Sequence, residues 1–135
     1  MNFEEEKEIT NAKIVMDHFG YWPSFHDAEV ISIKFERPWD ISFPSATLTV
    51  YAFEATDELD DENFFKLIKH CSIEIEFVGV TVNSMDGFNH QNVVGSLNFG
   101  RKDNNLYCQV DATFGVDGYI EAKEIIIKKL EPLNL

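Results

Sequence analysis

The stretch "YWPSFHDAEV", residues 21–30, sets reactive side chains beside aromatic residues where a strand is predicted to begin. His26, Asp27 and Glu29 offer one imidazole and two carboxylates. This set could bind a metal ion. Alternatively, one carboxyl group could act as the acid and the other as the base of a hydrolase.

A structural interpretation competes with this chemistry. If the strand begins by residue 27, Asp27 and Glu29 share a face with Ile31, Ile33 and Phe35. Buried carboxylates need hydrogen bonds or cations. In such a polar clasp, one carboxylate accepts backbone N–H bonds from a nearby turn and fixes how a helix docks. Because this spacing often arises by chance, we favour the clasp over a metal or catalytic site, with partner contact as a third alternative.

A second polar group lies in "DGFNHQN", residues 86–92, between two predicted strands. Its side-chain amides, Asn89 and Asn92, are typical of turns and usually bond to local backbone. His90 could instead meet His26 across the fold and form a two-histidine site. We favour the local structural role, and we predict no bound metal.

The run "EATDELDDE", residues 54–62, is strongly acidic. Such a run is typical of a solvated loop, but it could also be a surface that binds a basic protein. The candidate partner-binding residues are Glu54, Asp57, Glu58, Asp60, Asp61 and Glu62.

The whole chain has 24 acidic and 11 basic residues and a net charge of −13. This balance argues against nucleic acid as a ligand, because phosphate binding needs a basic face, and against an anionic membrane surface. It favours a basic protein partner, although solubility alone also explains acidic charge. No Gly-rich phosphate loop, HExxH, CxxC or Gly-x-Ser-x-Gly motif occurs. We therefore predict neither an enzyme nor a cofactor.

The start of the chain has no apolar segment typical of a signal peptide. No apolar run approaches the roughly 18 residues of a membrane span. We therefore expect a cytoplasmic protein with reduced cysteines. Cys108 falls on the inward phase of a strand, where a buried structural thiol is expected.

Apart from one helix, the hydrophobic period is mostly two, which is typical of strands. The helix is predicted over residues 9–19, with Thr10 or Asn11 as its cap and Gly20 at its end. The sequence predicts a single α+β domain, residues 1–135. It is mostly antiparallel, with six or seven strands and a C-terminal meander.

Residues 63–71 fit either a short helix or a strand. We favour the strand, because the phase of Phe65 and Leu67 continues into Cys71, Ile73 and Ile75.

Three stretches, "WPSFHDAEV", "GFNHQNVV" and "FGVDGYIEAKEI", occur in an order and spacing that resemble the immunity protein 50 family of bacterial polymorphic toxin systems. The resemblance runs from about Tyr21 to Ile127. It implies a small cytoplasmic protein, made beside a toxin that it binds and neutralises, without catalytic activity. It carries over no toxin-binding residues. The positions that match the family are Trp22, Pro23, Phe25, His26, Asp27, Glu29, Phe88, Asn89, His90, Gln91 and Asn92.

The favoured function is therefore a non-catalytic inhibitor of a basic toxin, with residues 54–62 as the contact surface. One rival is a metal-dependent enzyme that uses His26, Asp27 and Glu29. The other is a scaffold that self-associates through an uncovered sheet edge, and a homodimer is compatible with the sequence.

Overall fold

The computed structural model describes residues 3–40 and 42–134. Two short helices precede six strands, which confirms the predicted α+β class. The elements are α1 (Glu5–Glu8), α2 (Ala12–Phe19), β1 (Glu29–Glu36), β2 (Ser45–Leu59), β3 (Phe65–Asn83), β4 (Val94–Lys102), β5 (Asn105–Ala112) and β6 (Gly118–Pro132).

The strands form one antiparallel sheet in the order β1-β2-β3-β6-β5-β4. Strands β4, β5 and β6 pair in sequence, as the predicted meander requires. The last strand then lies against β3 at the centre, where Ile75 pairs with Ile127. Alternate residues of the central strands are buried, which is the physical origin of the period of two.

The helix predicted over residues 9–19 begins only at Ala12, and the separate helix α1 ends before Thr10. This residue pairs with β6, donating its N–H to Ile125 and accepting one from Ile127, so α1 ends before it. Asn11 then occupies the predicted N-cap position of α2 in a left-handed conformation, but its side chain makes no capping hydrogen bond. Gly20 ends α2 as predicted, in a left-handed conformation with its N–H bonded to Met16. Helix α2 packs its buried residues into the same core as the sheet.

The inward phase predicted for β1 is wrong at its start. A bulge at Ile31 shifts the pairing of β1 with β2. Val30 is buried, whereas Ile31 is half exposed. Glu29, opposite Tyr51, therefore does not share the face of Ile33 and Phe35 as expected.

Residues 65–71 belong to β3, which confirms the predicted strand over a helix. The expected continuous phase is wrong, because Lys69 takes a left-handed conformation with φ 57°. Cys71 and the alternate residues after it are buried, whereas Phe65 and Leu67 are exposed.

Both cysteines are free and fully buried, as predicted for Cys108. Burial raises the pKa of Cys71 to about 11 and that of Cys108 further. Neither thiol therefore has the thiolate character of a nucleophile. None of the helices in the described part of the chain is long and apolar enough to cross a membrane.

Candidate functional site

The segment that carries His26, Asp27 and Glu29 joins the two edges of the sheet. The backbone N–H of Asp27 donates to Val94 at 2.9 Å, and Val94 donates to Ala28 at 2.9 Å. Val30 donates to Asn92 at 2.9 Å. We call residues 24–30, with the start of β4, the seam. It connects the first strand to the last strand in spatial order through main-chain bonds.

The side chains of Asp27 and Glu29 do not form the polar clasp that the sequence predicts. Within residues 3–40 and 42–134, neither Asp27 nor Glu29 accepts a backbone N–H bond through its side chain. Asp27 has a φ of 65°, a left-handed conformation that Asp tolerates better than most residues. This turn directs its side chain outward, where it is 55% exposed. Main-chain hydrogen bonds therefore form the clasp, and neither carboxylate has the acceptor role that the sequence predicts.

His26 lies on the outside of the seam. Its Nδ1 is 3.0 Å from the carbonyl oxygen of Gly95. A carbonyl can only accept, so Nδ1 carries the proton in this contact. Nε2 lies 3.5 Å from a carboxylate oxygen of Asp27. The ring therefore caps the start of β4 and remains largely exposed.

Asn92 organises the second polar group and is almost completely buried. Its Oδ1 accepts N–H bonds from Asn89 at 2.9 Å and Val116 at 3.1 Å, and its Nδ2 donates to the carbonyl of Asn89 at 2.7 Å. We call this arrangement the Asn92 knot. It ties the 89–92 turn to the loop before β6, as expected for a side-chain amide bonded to local backbone.

The neighbouring backbone fits tightly around the knot. Gly115 has a φ of +80°, and a Cβ added there would lie 2.2 Å from the carbonyl oxygen of Gln91. Only glycine fits this position without a shift of the 89–92 turn.

The structure does not join the two histidines. His90 is exposed, and no contact with His26 occurs in the part of the chain that the structure describes. Across residues 3–40 and 42–134, no three His, Cys, Asp or Glu side chains come together as a metal site.

The acidic run is not a solvated loop, because most of it lies in β2. Strand β1 follows β2 only as far as Tyr51, and β6 follows β3 only from Cys71 onward. Between these points, β2 and β3 form a two-stranded hairpin, and no further strand in the described part of the chain pairs with it. We call residues 54–69 the acidic arm.

Two of the six predicted contact residues shape the arm. Asp60 Oδ1 accepts the backbone N–H bonds of Glu62 and Phe64, at 2.9 and 3.0 Å, and so forms the turn. Glu54 accepts a 2.6 Å hydrogen bond from the hydroxyl of Tyr21 and is mostly covered. Both carboxylates have partners within the chain, and contact of the six acidic residues with a partner stays a prediction.

The other four acidic residues of the run are exposed, and apolar side chains lie among them. Asp57, Glu58, Asp61 and Glu62 make no ion pair within residues 3–40 and 42–134. Phe64 is 66% exposed and Phe65 is 61% exposed. Leu59 and Leu67 extend this surface. The sequence predicted an inward phase for Phe65 and Leu67. Their place on a hairpin that extends beyond the paired part of β1 and β6 exposes them instead.

The base of the acidic arm is held by the end of α2. Lys69 donates through Nζ to the carbonyl of Phe19 at 3.0 Å and lies 3.6 Å from Glu54. His18 Nε2 is 2.8 Å from the carbonyl of Lys69. The hydrogen bond to Glu54 is the largest cause that raises the pKa of Tyr21, followed by burial. The direction of the arm therefore depends on this network.

Removing the Tyr21 hydroxyl should loosen the acidic arm. The change Tyr21→Phe deletes a charge-assisted hydrogen bond, so amides of residues 54–69 should exchange with solvent about tenfold faster. Hydrogen–deuterium exchange measured by mass spectrometry would detect this change. Tyr119→Phe is the matched control, because it removes a similar 2.8 Å bond, to Glu121, outside the arm. Equal exchange of the arm in both variants would contradict the anchoring role.

A family model described as immunity protein 50 matches residues 11–133, nearly the whole chain. The match spans the seam, the Asn92 knot and the acidic arm alike, and it indicates an immunity role. No curated protein and no solved structure matches the chain.

Proposed function

Because the chain belongs to the immunity protein 50 family, we propose that it binds and neutralises a cognate toxin domain in the cytoplasm of the cell that makes it. It does so as a stoichiometric inhibitor, without catalysis of its own. The family supports the immunity role, and the identity and charge of the toxin are part of our proposal.

The observation that carries the proposal is the composition of the acidic arm. Four exposed carboxylates and four exposed apolar side chains lie on one hairpin, to which no other strand of residues 3–40 and 42–134 pairs. Interfaces commonly combine aromatic anchors, which contribute most of the affinity, with charges that steer the encounter. The arm has both, and it lies beyond the part of β2 and β3 that pairs with β1 and β6.

A basic toxin fits this surface best. The chain carries a net charge of −13, which attracts cationic proteins over long range. A toxin domain that attacks nucleic acid needs basic residues to bind phosphate. Carboxylates of the arm, from Asp57, Glu58, Asp61 and Glu62, would occupy the positions that phosphates take on such a toxin.

The test begins by identifying the toxin. The full chain serves as bait in a lysate of its source cell, with washes at low and high salt. We expect one basic protein that is retained at low salt and whose retention is weaker at high salt. Binding kinetics with that purified protein then follow, because capture alone does not locate the surface.

The arm is tested by neutralising its free acids together. The variant Asp57→Asn, Glu58→Gln, Asp61→Asn, Glu62→Gln keeps Asp60, which forms the turn. We expect the association rate at low salt to fall about tenfold or more, since steering depends on opposite charge. Surface plasmon resonance at several salt concentrations measures this rate.

A control changes the net charge equally at another place. Its changes are Glu4→Gln, Glu5→Gln, Glu6→Gln and Asp17→Asn, on or beside the helices. If both variants slow association to the same extent, total charge rather than the arm governs binding. That result would remove the arm from the proposal.

A further inference from the structure

We propose that two copies of this chain pair through the free edge of β1, in antiparallel orientation, with Phe35 at the two-fold axis. The two edges of the sheet differ in how they are covered. Residues of the seam bond to β4, where Leu97 donates to Ser24 at 3.2 Å and Asp27 donates to Val94 at 2.9 Å. Beyond Val30, the described strands pair with β1 on its β2 side only.

An uncovered edge strand offers N–H and C=O groups that another strand can pair with. Proteins usually protect such an edge with charges, proline or a covering segment. Here Ile31 and Phe35, both half exposed, lie along the free edge. With Lys34 and Glu36 on the same strand, the edge of β1 is open only to a strand whose charges complement theirs.

A cleft with several apolar side chains lies beside this edge. It has a volume of about 380 Å³, and Asp86 lines it together with Ile33, Phe35, Met85, Phe88 and Val116. Phe88 is itself 49% exposed. A second copy brought to the edge by the two-fold axis would place its own Phe35 against this cleft and cover the apolar side chains of both copies.

The charges along β1 favour one pairing register between the two copies. A two-fold axis perpendicular to the sheet keeps the inner faces of the two copies on the same side. Two residues that pair across the axis must then point to the same face, so their residue numbers sum to an even number. With Phe35 opposite Phe35, Lys34 lies opposite Glu36 twice. An axis at Lys34 would place two lysines opposite each other, and cross-strand pairs of like charge are destabilising. The edge is thus complementary to itself in the register centred on Phe35.

The strong negative charge of the chain does not lie at this edge. Phe35 pairs with Ala46, and the acidic arm begins at the other end of β2. The turn of the arm is roughly 40 Å away along the strand, several times the screening length of about 10 Å in ordinary salt. Repulsion between two copies is therefore weakened by salt, and the dimer should tighten as salt rises. Binding of a basic toxin should weaken under the same change, so each proposal can fail without the other.

Sedimentation velocity of the full chain, at low and at ordinary ionic strength, is the first measurement. We expect a concentration-dependent dimer that is more populated at the higher salt. A chain that remains monomeric up to high micromolar concentration at both salts overturns the proposal.

Charge exchange locates the interface. Lys34→Glu places Glu opposite Glu twice, and Glu36→Lys places Lys opposite Lys twice. Each single change should raise the dissociation constant of the dimer about tenfold. The double variant restores opposite pairs and should return the constant to that of the unchanged chain.

The matched control is the Lys129 and Glu131 pair, which has the same spacing on β6 and forms the same kind of ion pair. Lys129→Glu and Glu131→Lys alter the net charge equally and should leave the dimer unchanged. Phe35→Asp is a further test that does not depend on the ion pairs. It should abolish the dimer while circular dichroism stays unchanged. A dimer that persists in Phe35→Asp, or single and double charge variants that behave alike, would overturn this interface.

Discussion

Replacing Asn92 with alanine should lower the free energy of unfolding by about 3 kcal/mol, because each buried polar group left without a partner costs roughly 1–3 kcal/mol. The backbone N–H of Val116 and both backbone groups of Asn89 bond to the Asn92 side chain. Alanine removes all three bonds at a site that is 4% exposed. The 89–92 turn and the loop before β6 would then lose their connection.

Urea unfolding followed by tryptophan fluorescence measures this effect. Asn98→Ala is the control, since Asn98 is an exposed residue that bonds to Asp111 and Ser96 on the surface. It should change the free energy of unfolding by less than about 1 kcal/mol. Asn92→Asp keeps the acceptor oxygens but places a charge in the knot, so it should also destabilise the chain. An Asn92→Ala variant that unfolds at the same urea concentration as the unchanged chain would show that the knot has no stabilising role.

The double change Phe64→Ala, Phe65→Ala should weaken toxin binding about 100-fold or more, because buried aromatic anchors commonly contribute at least 2 kcal/mol each to an interface. Both rings are more than half exposed in the free chain. The free energy of unfolding should therefore change by less than about 0.5 kcal/mol. The contrast between affinity and stability distinguishes a contact role from a structural one.

Isothermal titration calorimetry with the toxin measures the affinity. Trp39→Ala, Phe43→Ala is the matched control, because these aromatic residues are also exposed but lie beyond the opposite end of β2. Unchanged affinity in the arm variant, or equal loss in the control, would place the toxin on another surface.

The class of the fold could be predicted because a hydrophobic period of two reflects the burial of alternate residues along a strand. The inward residues of β2, of β3 after Lys69 and of β5 follow that period. The predicted inward phase is wrong at Ile31 and Lys69. A bulge at Ile31 and the left-handed conformation of Lys69 change which face of the strand lies against the core. Such local shifts are set by the pairing partner, which sequence periodicity does not contain.

For the candidate site, the sequence predicted the role of some residues and not of others. Asn92 acts as its residue type suggests, since a short amide readily bonds to nearby backbone. Asp27 does not, because its own left-handed backbone directs the side chain away from the seam. In the acidic run, composition could not separate the turn former Asp60 and the anchored Glu54 from the free acids. That distinction depends on tertiary contacts.

The position of β6 has a consequence for synthesis on the ribosome. The last of the six strands lies at the centre of the sheet, between β3 and β5. Until residues 118–132 have left the exit tunnel, the hairpin of β2 and β3 and the hairpin of β4 and β5 can be joined only through the seam, and Thr10 lacks its partner in β6. Contacts between such distant parts of a chain form late. A nascent chain is therefore without its completed core until β6 has emerged from the ribosome.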